Sequence, residues 1–162
     1  MRAGPLPFEG HAATVRPEWI DDNGHMNLAY YVLMFDGATD LLCEAAGLGA
    51  DHRRRTRTGV FAAETHILYR AELLLGDQVR VRSQIVGADA KRLHLAHEML
   101  RGDEAVAFQE VMLLHVNLDT RRVTPFPPEV AQQASVLAAT HARLPRPDWL
   151  GRRLAMPAAA PA

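Results

Sequence analysis

The chain has 162 residues, 48% of them hydrophobic and 23% charged, with a formal net charge of −1. That length and balance fit one globular domain with a short appendage. They exclude the basic footprint of a nucleic-acid-binding protein, and the single cysteine, Cys43, excludes an intrachain disulfide or a cysteine-built zinc cluster.

The first segment, MRAGPLPFEGH, lacks a basic-then-apolar pattern, and no apolar run is long enough to cross a bilayer. The expectation is a cytoplasmic protein with no membrane partner. Residues 11–19, HAATVRPEW, alternate loosely and read as a first strand stopped by Pro17. WIDDNGHMN (19–27) then crowds Asp21, Asp22, Gly24, His25 and Asn27 just ahead of a helix. Over residues 28–46, Tyr31, Met34, Phe35, Ala38, Leu41, Leu42 and Ala45 recur at three- and four-residue spacing, predicting a long amphipathic helix. Asn27 is its candidate N-cap and GLG (47–49) its stop.

The cationic run HRRRTR (52–57) follows. Residues 59–70, 77–88, 91–101 and 104–119 are rich in β-branched and apolar residues and are divided by the short turns LLLGD, GADA and RGDE. They predict four strands of an antiparallel meander. Arg80, Arg82 and Gln84 alternate with Val79, Val81 and Ile85, as on a strand with one solvated face. TPFPP breaks the chain, residues 129–144 read as a second amphipathic helix, and GRRLAMPAAAPA has the composition of a disordered tail. The fold class is therefore α+β. The expected divisions are a main domain over 1–125, a helical extension over 126–150 and a tail over 151–162.

Several chemistries fall away. The two serines, Ser83 and Ser135, do not stand in a nucleophile elbow, and no glycine-rich phosphate loop or dinucleotide fingerprint occurs. Cys43 is mid-helix with nothing to activate its thiol. His94 and His97 lie three apart in a predicted strand and so point to opposite faces, which argues against a shared metal ion. The stretch before the helix remains. Unpaired N–H groups at a helix start favour negative charge. That makes Asp21 or Asp22 an ordinary stabiliser of the helix, the commoner role. The same physics can stabilise an oxyanion at a carbonyl, with a neighbouring carboxylate attacking it or activating water.

WIDDNGHMNLAYYVLMFDGATDLLCEAAGLG resembles the hotdog-fold acyl-CoA thioesterases of the 4-hydroxybenzoyl-CoA thioesterase-like group. The resemblance spans about residues 10–125 and includes the order strand, central helix, four-strand meander. It puts Asp21 at the catalytic carboxylate, Gly24 at the tight turn, and His25 and Asn27 in a GH-x-N variant. Tyr31 takes the helix tyrosine and Asp36 the helix acid. EWIDDNGHMN, ETHILY, DAKRLHLAHEM and MLLHVN…PFP together look like thioesterases of carnitine and betaine catabolism, which act on betainyl-CoA.

The resemblance implies hydrolysis of an acyl-CoA to acid and CoA, with no metal or redox cofactor. Asp21 would be base or nucleophile, and N–H groups near Leu28 would polarise the thioester. His25 and Asn27 would shape the turn and position water. It also implies a homodimer or dimer of dimers with the substrate at the seam, which Glu64 and His66 could reach. The run HRRRTR (52–57), with Arg53, Arg54 and Arg55 foremost, is a candidate for gripping CoA phosphates, since guanidinium forks match phosphate geometry, although charge runs are usually solvated faces. Trp19, Tyr30, Tyr31, Phe61 and Tyr69 are candidates for holding a quaternary ammonium, with core packing as their ordinary role. The alternatives are a hotdog hydratase or dehydratase using His25 and Asp21, and a non-catalytic acyl-CoA-binding module.

Overall fold

The computed structural model describes residues 7–156. Its elements are β1 (Phe8–Thr14), a 3-10 turn (Pro17–Trp19), α1 (Leu28–Ala45), α2 (Ala50–Thr56), β2 (Thr58–Tyr69), β3 (Gln78–Ala88), β4 (Arg92–Arg101), β5 (Glu104–Asn117) and α3 (Pro128–His141). The five strands form one antiparallel sheet in the order β1-β3-β4-β5-β2, curled around α1 in an α+β hotdog fold.

The first strand is shorter than its sequence suggests. Pro17 starts a 3-10 turn, and pairing with β3 ends one step beyond Thr14, where the Val15 N–H bonds Asp77 O at 2.9 Å in the same register. α2 occupies the segment read only as a cationic run. Asp51 in its first turn and Arg53–Arg55 in its last complement the helix dipole, and seven residues are too few for periodicity to betray it.

α1 buries one face at both of its ends. Tyr31, Met34, Phe35 and Ala38 pack with Val79, Val81, Met99 and Val106. Leu42, Cys43 and Ala46 pack with Ile85, Leu95, Val111 and Leu113. Each large side chain buried this way contributes about 1.5–3 kcal/mol relative to exposure. Gly37 is small for a steric reason: a Cβ there would meet the His11 ring of β1 at 2.7 Å. α1 packs mainly on β1, β3 and β4. β2, at the sheet edge, therefore keeps Phe61 to Thr65 exposed.

α3 closes the second cluster through Val130 and Ala134. A bulge between Ile85 and Gly87 breaks the β3–β4 register, and His141 Nδ1 accepts the Ile85 N–H at 2.9 Å. Beyond α3, Trp149 is buried against Phe108, with ring centroids 5.1 Å apart. The Gly151 N–H donates to Glu110 Oε2 at 2.6 Å. Of the expected tail, residues 151–156 are exposed and without regular structure, and residues 157–162 lie outside the described residues. No helix among the described residues is long and apolar enough to cross a membrane.

Candidate active site at the start of the central helix

The loop 21–25 is closed on itself before it meets the helix. Ile20 and Met26 form an antiparallel bridge, the Asp21 N–H bonds His25 O at 3.0 Å, and the Gly24 N–H bonds Asp21 O at 2.9 Å. Gly24 has φ +82°, a conformation that glycine adopts without a Cβ penalty. Two further bonds fasten the loop to the body. The Met26 N–H reaches Leu73 O at 2.7 Å, and the Asn27 N–H reaches Trp19 O at 2.8 Å.

Asn27 is the N-cap, and its amide faces two ways. Oδ1 accepts the Ala29 N–H at 3.0 Å, while Nδ2 donates to Asp21 Oδ2 at 3.4 Å. The other carboxylate oxygen, Oδ1, accepts the Asn23 N–H at 2.9 Å and lies 3.9 Å from His25 Nδ1. Asp21, Asn27 and His25 are thus brought together at the mouth of α1. The Asp21 side chain keeps 21% of its surface open to solvent, enough for water or a carbonyl to approach. Leu28 is the first helical residue and is exposed, so its N–H belongs to the helix's unpaired first turn. Asp22 is exposed and turned to no partner among the described residues.

The aromatic candidates separate into two pairs. Trp19 and Tyr30 stack at 5.2 Å, with the Arg16 guanidinium 5.4 Å from the Trp19 ring. Tyr31 is buried and meets Tyr69 edge-to-face at 5.1 Å, and its hydroxyl donates to Ala71 O at 3.4 Å. Burial raises both phenols above their ordinary pKa. Tyr31 is thus a core residue whose partner Tyr69 is half-exposed. Asp36 lies eight residues along α1, about 12 Å from its start; its carboxyl is pushed up by burial and then by Asp40.

Glu64 is not brought to this constellation. Its neighbour Ala63 is taken up in a β-bulge, so Ala62 pairs with Leu113 and Glu64 with Met112. The bulge reverses the alternation. Val60 and Ile67 pack toward the two core clusters, whereas Glu64 and His66 share the opposite face with His94, Glu110 and Met112. There His94 Nε2 contacts Glu110 Oε1 at 2.7 Å, while His97 is buried between α1 and the sheet. The two histidines do point apart, and no group of three or more His, Cys, Asp or Glu among the described residues could hold a metal ion.

The cationic run is also divided. Arg54 is paired with Asp51. Only Arg53 of the three consecutive arginines lines the nearby recess, which also takes Arg57 from the end of the same run and adds Arg121, a residue that spacing alone gave no reason to join to them. α2 is held down by buried His52. Its Nε2 lies 2.9 Å from Thr58 Oγ1, which in turn lies 2.9 Å from His115 Nε2. Burial, then the neighbouring His115 and Arg55, keep the His52 pKa below its ordinary value.

Residues 15–134 match the family model for the thioesterase-like superfamily. The chain is 42% identical to a betainyl-CoA thioesterase of Pseudomonas aeruginosa over 145 residues, 88% of this chain and 91% of the relative. It is 36% identical to an L-carnitine dehydrogenase/betainyl-CoA thioesterase of Ruegeria pomeroyi, covering 87% of this chain but 29% of that longer protein. Among solved structures, a Staphylococcus aureus protein in complex with CoA superimposes with a TM-score of 0.89 at 31% identity, over 97% of this chain and 99% of its own.

Proposed function

The chain belongs to the thioesterase-like superfamily and hydrolyses acyl-CoA thioesters, and from that premise we propose that Asp21 is the base or nucleophile and betainyl the acyl group. The observation that carries the reading is the Asn27 amide. It joins the Asp21 carboxylate to the first turn of α1, so the attacking group and the N–H groups that would stabilise the oxyanion are held in one frame.

The thioester carbonyl oxygen lies toward the Leu28 N–H, where developing negative charge meets the positive end of the helix. Asp21 then takes a proton from a water as that water adds to the carbonyl carbon, or adds directly to form an anhydride that water opens. The C–S bond breaks, the CoA thiolate leaves, and the proton returns to sulfur. Both routes give one carboxylic acid and one free thiol per water consumed. His25, 3.9 Å from Asp21, orders the attacking water.

The relative's substrate supports a short cationic acyl chain, and a quaternary ammonium is selected by aromatic faces because it cannot donate a hydrogen bond. Tyr69, half-exposed and supported by Tyr31, offers such a face.

The working unit is a homodimer or a dimer of dimers acting in the cytoplasm. The unpaired β2 edge supports this, with Phe61 41% exposed on it and Leu28 61% and Val32 41% exposed on α1.

The deciding experiment is free-thiol release from a panel of acyl-CoAs by wild type and Asp21→Asn. Asn keeps the shape and removes the base, so turnover falls at least ~10²-fold while the fold survives. Near-wild-type turnover would sink the role of Asp21.

A further inference from the structure

The connection between β2 and β3, residues 70–77, touches the mouth of α1 at two points. Leu73 O accepts the Met26 N–H at 2.7 Å, and Ala71 O accepts the Tyr31 hydroxyl at 3.4 Å. Leu73 and Met26 also bury their side chains in one cluster. Met26 stands between His25, whose carbonyl accepts the Asp21 N–H, and Asn27, whose amide reaches the Asp21 carboxylate. A shift of the Leu73 carbonyl is therefore passed to Asp21.

The two ends of this connection are tied to the sheet. The Arg70 and Ala71 N–H groups share Val106 O at 2.8 and 3.1 Å, and Asp77 O accepts the Val15 N–H at 2.9 Å. Its middle lies outside any strand, and Leu74 and Leu75 are exposed. Arg101, at the end of β4, reaches that middle. Its Nη1 donates to Glu72 O at 3.2 Å and to Asp77 Oδ2 at 3.0 Å, while its Nη2 is held by Glu104 Oε2 at 2.7 Å. Asp77 Oδ2 also accepts the Leu74 N–H at 2.9 Å. Leu73 is thus gripped on both sides, through the carbonyl before it and the N–H after it. The Leu74 N–H first, and Arg101 after it, hold the Asp77 carboxyl below the usual carboxylate range. The Arg101 and Asp77 side chains keep 33% and 24% of their surface open, and ion pairs so exposed add little to stability.

We propose that Arg101 is a positioning residue for the hydrolysis: by gripping Glu72 O and Asp77 it sets the Leu73 carbonyl, which through the Met26 N–H sets Asp21 against the first turn of α1. The proposal rests on the catalytic reading of Asp21. Among the described residues, Arg101 pairs with Asp77 and Glu104 and not with Asp21 or His25, so it acts through the chain between them. One planar guanidinium meets three acceptors here, which a single ammonium on a flexible stem does less exactly.

The test is a double-mutant cycle on free-thiol release from the best acyl-CoA of the panel, with each protein shown to be folded at the assay temperature. Arg101→Met removes every donor and lowers kcat at least about tenfold with KM kept within about twofold. A displaced attacking group costs transition-state contacts and spares binding of the ground state. Added to Asp21→Asn, the same substitution lowers kcat no further than about twofold, because the group that Arg101 positions is already gone. Losses that multiply, or a KM that rises while kcat holds, overturn the proposal. Should Arg101→Met fail to fold, Arg101→Lys keeps the charge without the fork and carries the same cycle, with a smaller loss of kcat and the same lack of additivity.

Hydrogen exchange supplies the readout that general destabilisation does not move. In the Arg101 variant the Met26 amide exchanges at least about tenfold faster, while the Phe35 amide within α1 keeps its wild-type rate. Equal acceleration at both sites marks a merely stabilising ion pair and refutes the assignment. Near-wild-type turnover in Asp21→Asn alone marks the failure of the catalytic reading instead, and Met26 exchange then still decides whether Arg101 holds the loop.

Discussion

Mild acid should destabilise this protein through His97, and the size of the effect follows from its surroundings. The imidazole is fully buried, with Ser83 Oγ 2.7 Å from Nδ1 and Thr39 Oγ1 3.1 Å from Nε2. The Thr39 hydroxyl donates to Phe35 O at 2.9 Å, so its oxygen accepts from His97 Nε2–H, and Nδ1 is left to accept from Ser83. The network is complete with neutral His97, and burial pushes its pKa down to about 3. The unfolded value is about 6.5, so below that pH the unfolded chain binds a proton that the folded chain refuses. Stability is therefore full above about pH 7 and is lost as pH falls toward 3. Between about pH 7 and about pH 5 the lost increment is roughly 2 kcal/mol for this residue alone. The assay is urea unfolding at both pH values and fixed protein concentration, for wild type and His97→Gln. The variant is less stable at neutral pH but loses about 2 kcal/mol less on acidification. His52 and His141, both held down chiefly by burial, contribute in the same direction to both proteins and cancel in the comparison. Equal acid sensitivity in the two proteins, or a His97 resonance titrating near the free imidazole value, would refute the reasoning.

Other outcomes are open to direct measurement. Betainyl-CoA should exceed a neutral acyl-CoA of equal size by more than about tenfold in kcat/KM, the discrimination expected of a desolvated cation–π contact near 2 kcal/mol; a best rate on palmitoyl-CoA or an aromatic acyl-CoA would remove betainyl as substrate without touching the hydrolase. Gly24→Ala must hold φ +82° with a Cβ, costing about 1–2 kcal/mol of folding stability, and an unchanged denaturant midpoint would contradict that. Cys43 is buried and its thiol is pushed up to about 12, so iodoacetamide at neutral pH should leave the native protein unlabelled, as mass spectrometry would report. Sedimentation should find a dimer or larger species; a fully active monomer would overturn the shared-site reading.

The elements legible in the sequence are those whose signal is local. The three- and four-residue spacing of Tyr31, Met34, Phe35, Ala38 and Leu42 predicts α1, because a helix on a sheet must turn one continuous apolar face inward. The four meander strands carry their own alternation and turns. The Asp21–Asn27 loop is legible for the same reason, since a cap and the carboxylate beside it are fixed within a few residues of chain. What sequence could not give depends on partners distant along the chain. The bulge at Ala63 that turns Glu64 away from the helix exists only against β5, because alternation by itself cannot show an extra residue. α2 is too short for its pattern to emerge, and it is held by His52 lodged against Thr58 and His115. Arg57 and Arg121 stand more than sixty residues apart and meet only because the end of β5 folds back on the end of α2. Local physics thus determined the loop proposed as catalytic and the elements around it. Which side chains face that loop, and which charges converge far from it, was decided by tertiary packing, because pairing register and loop closure depend on the whole sheet.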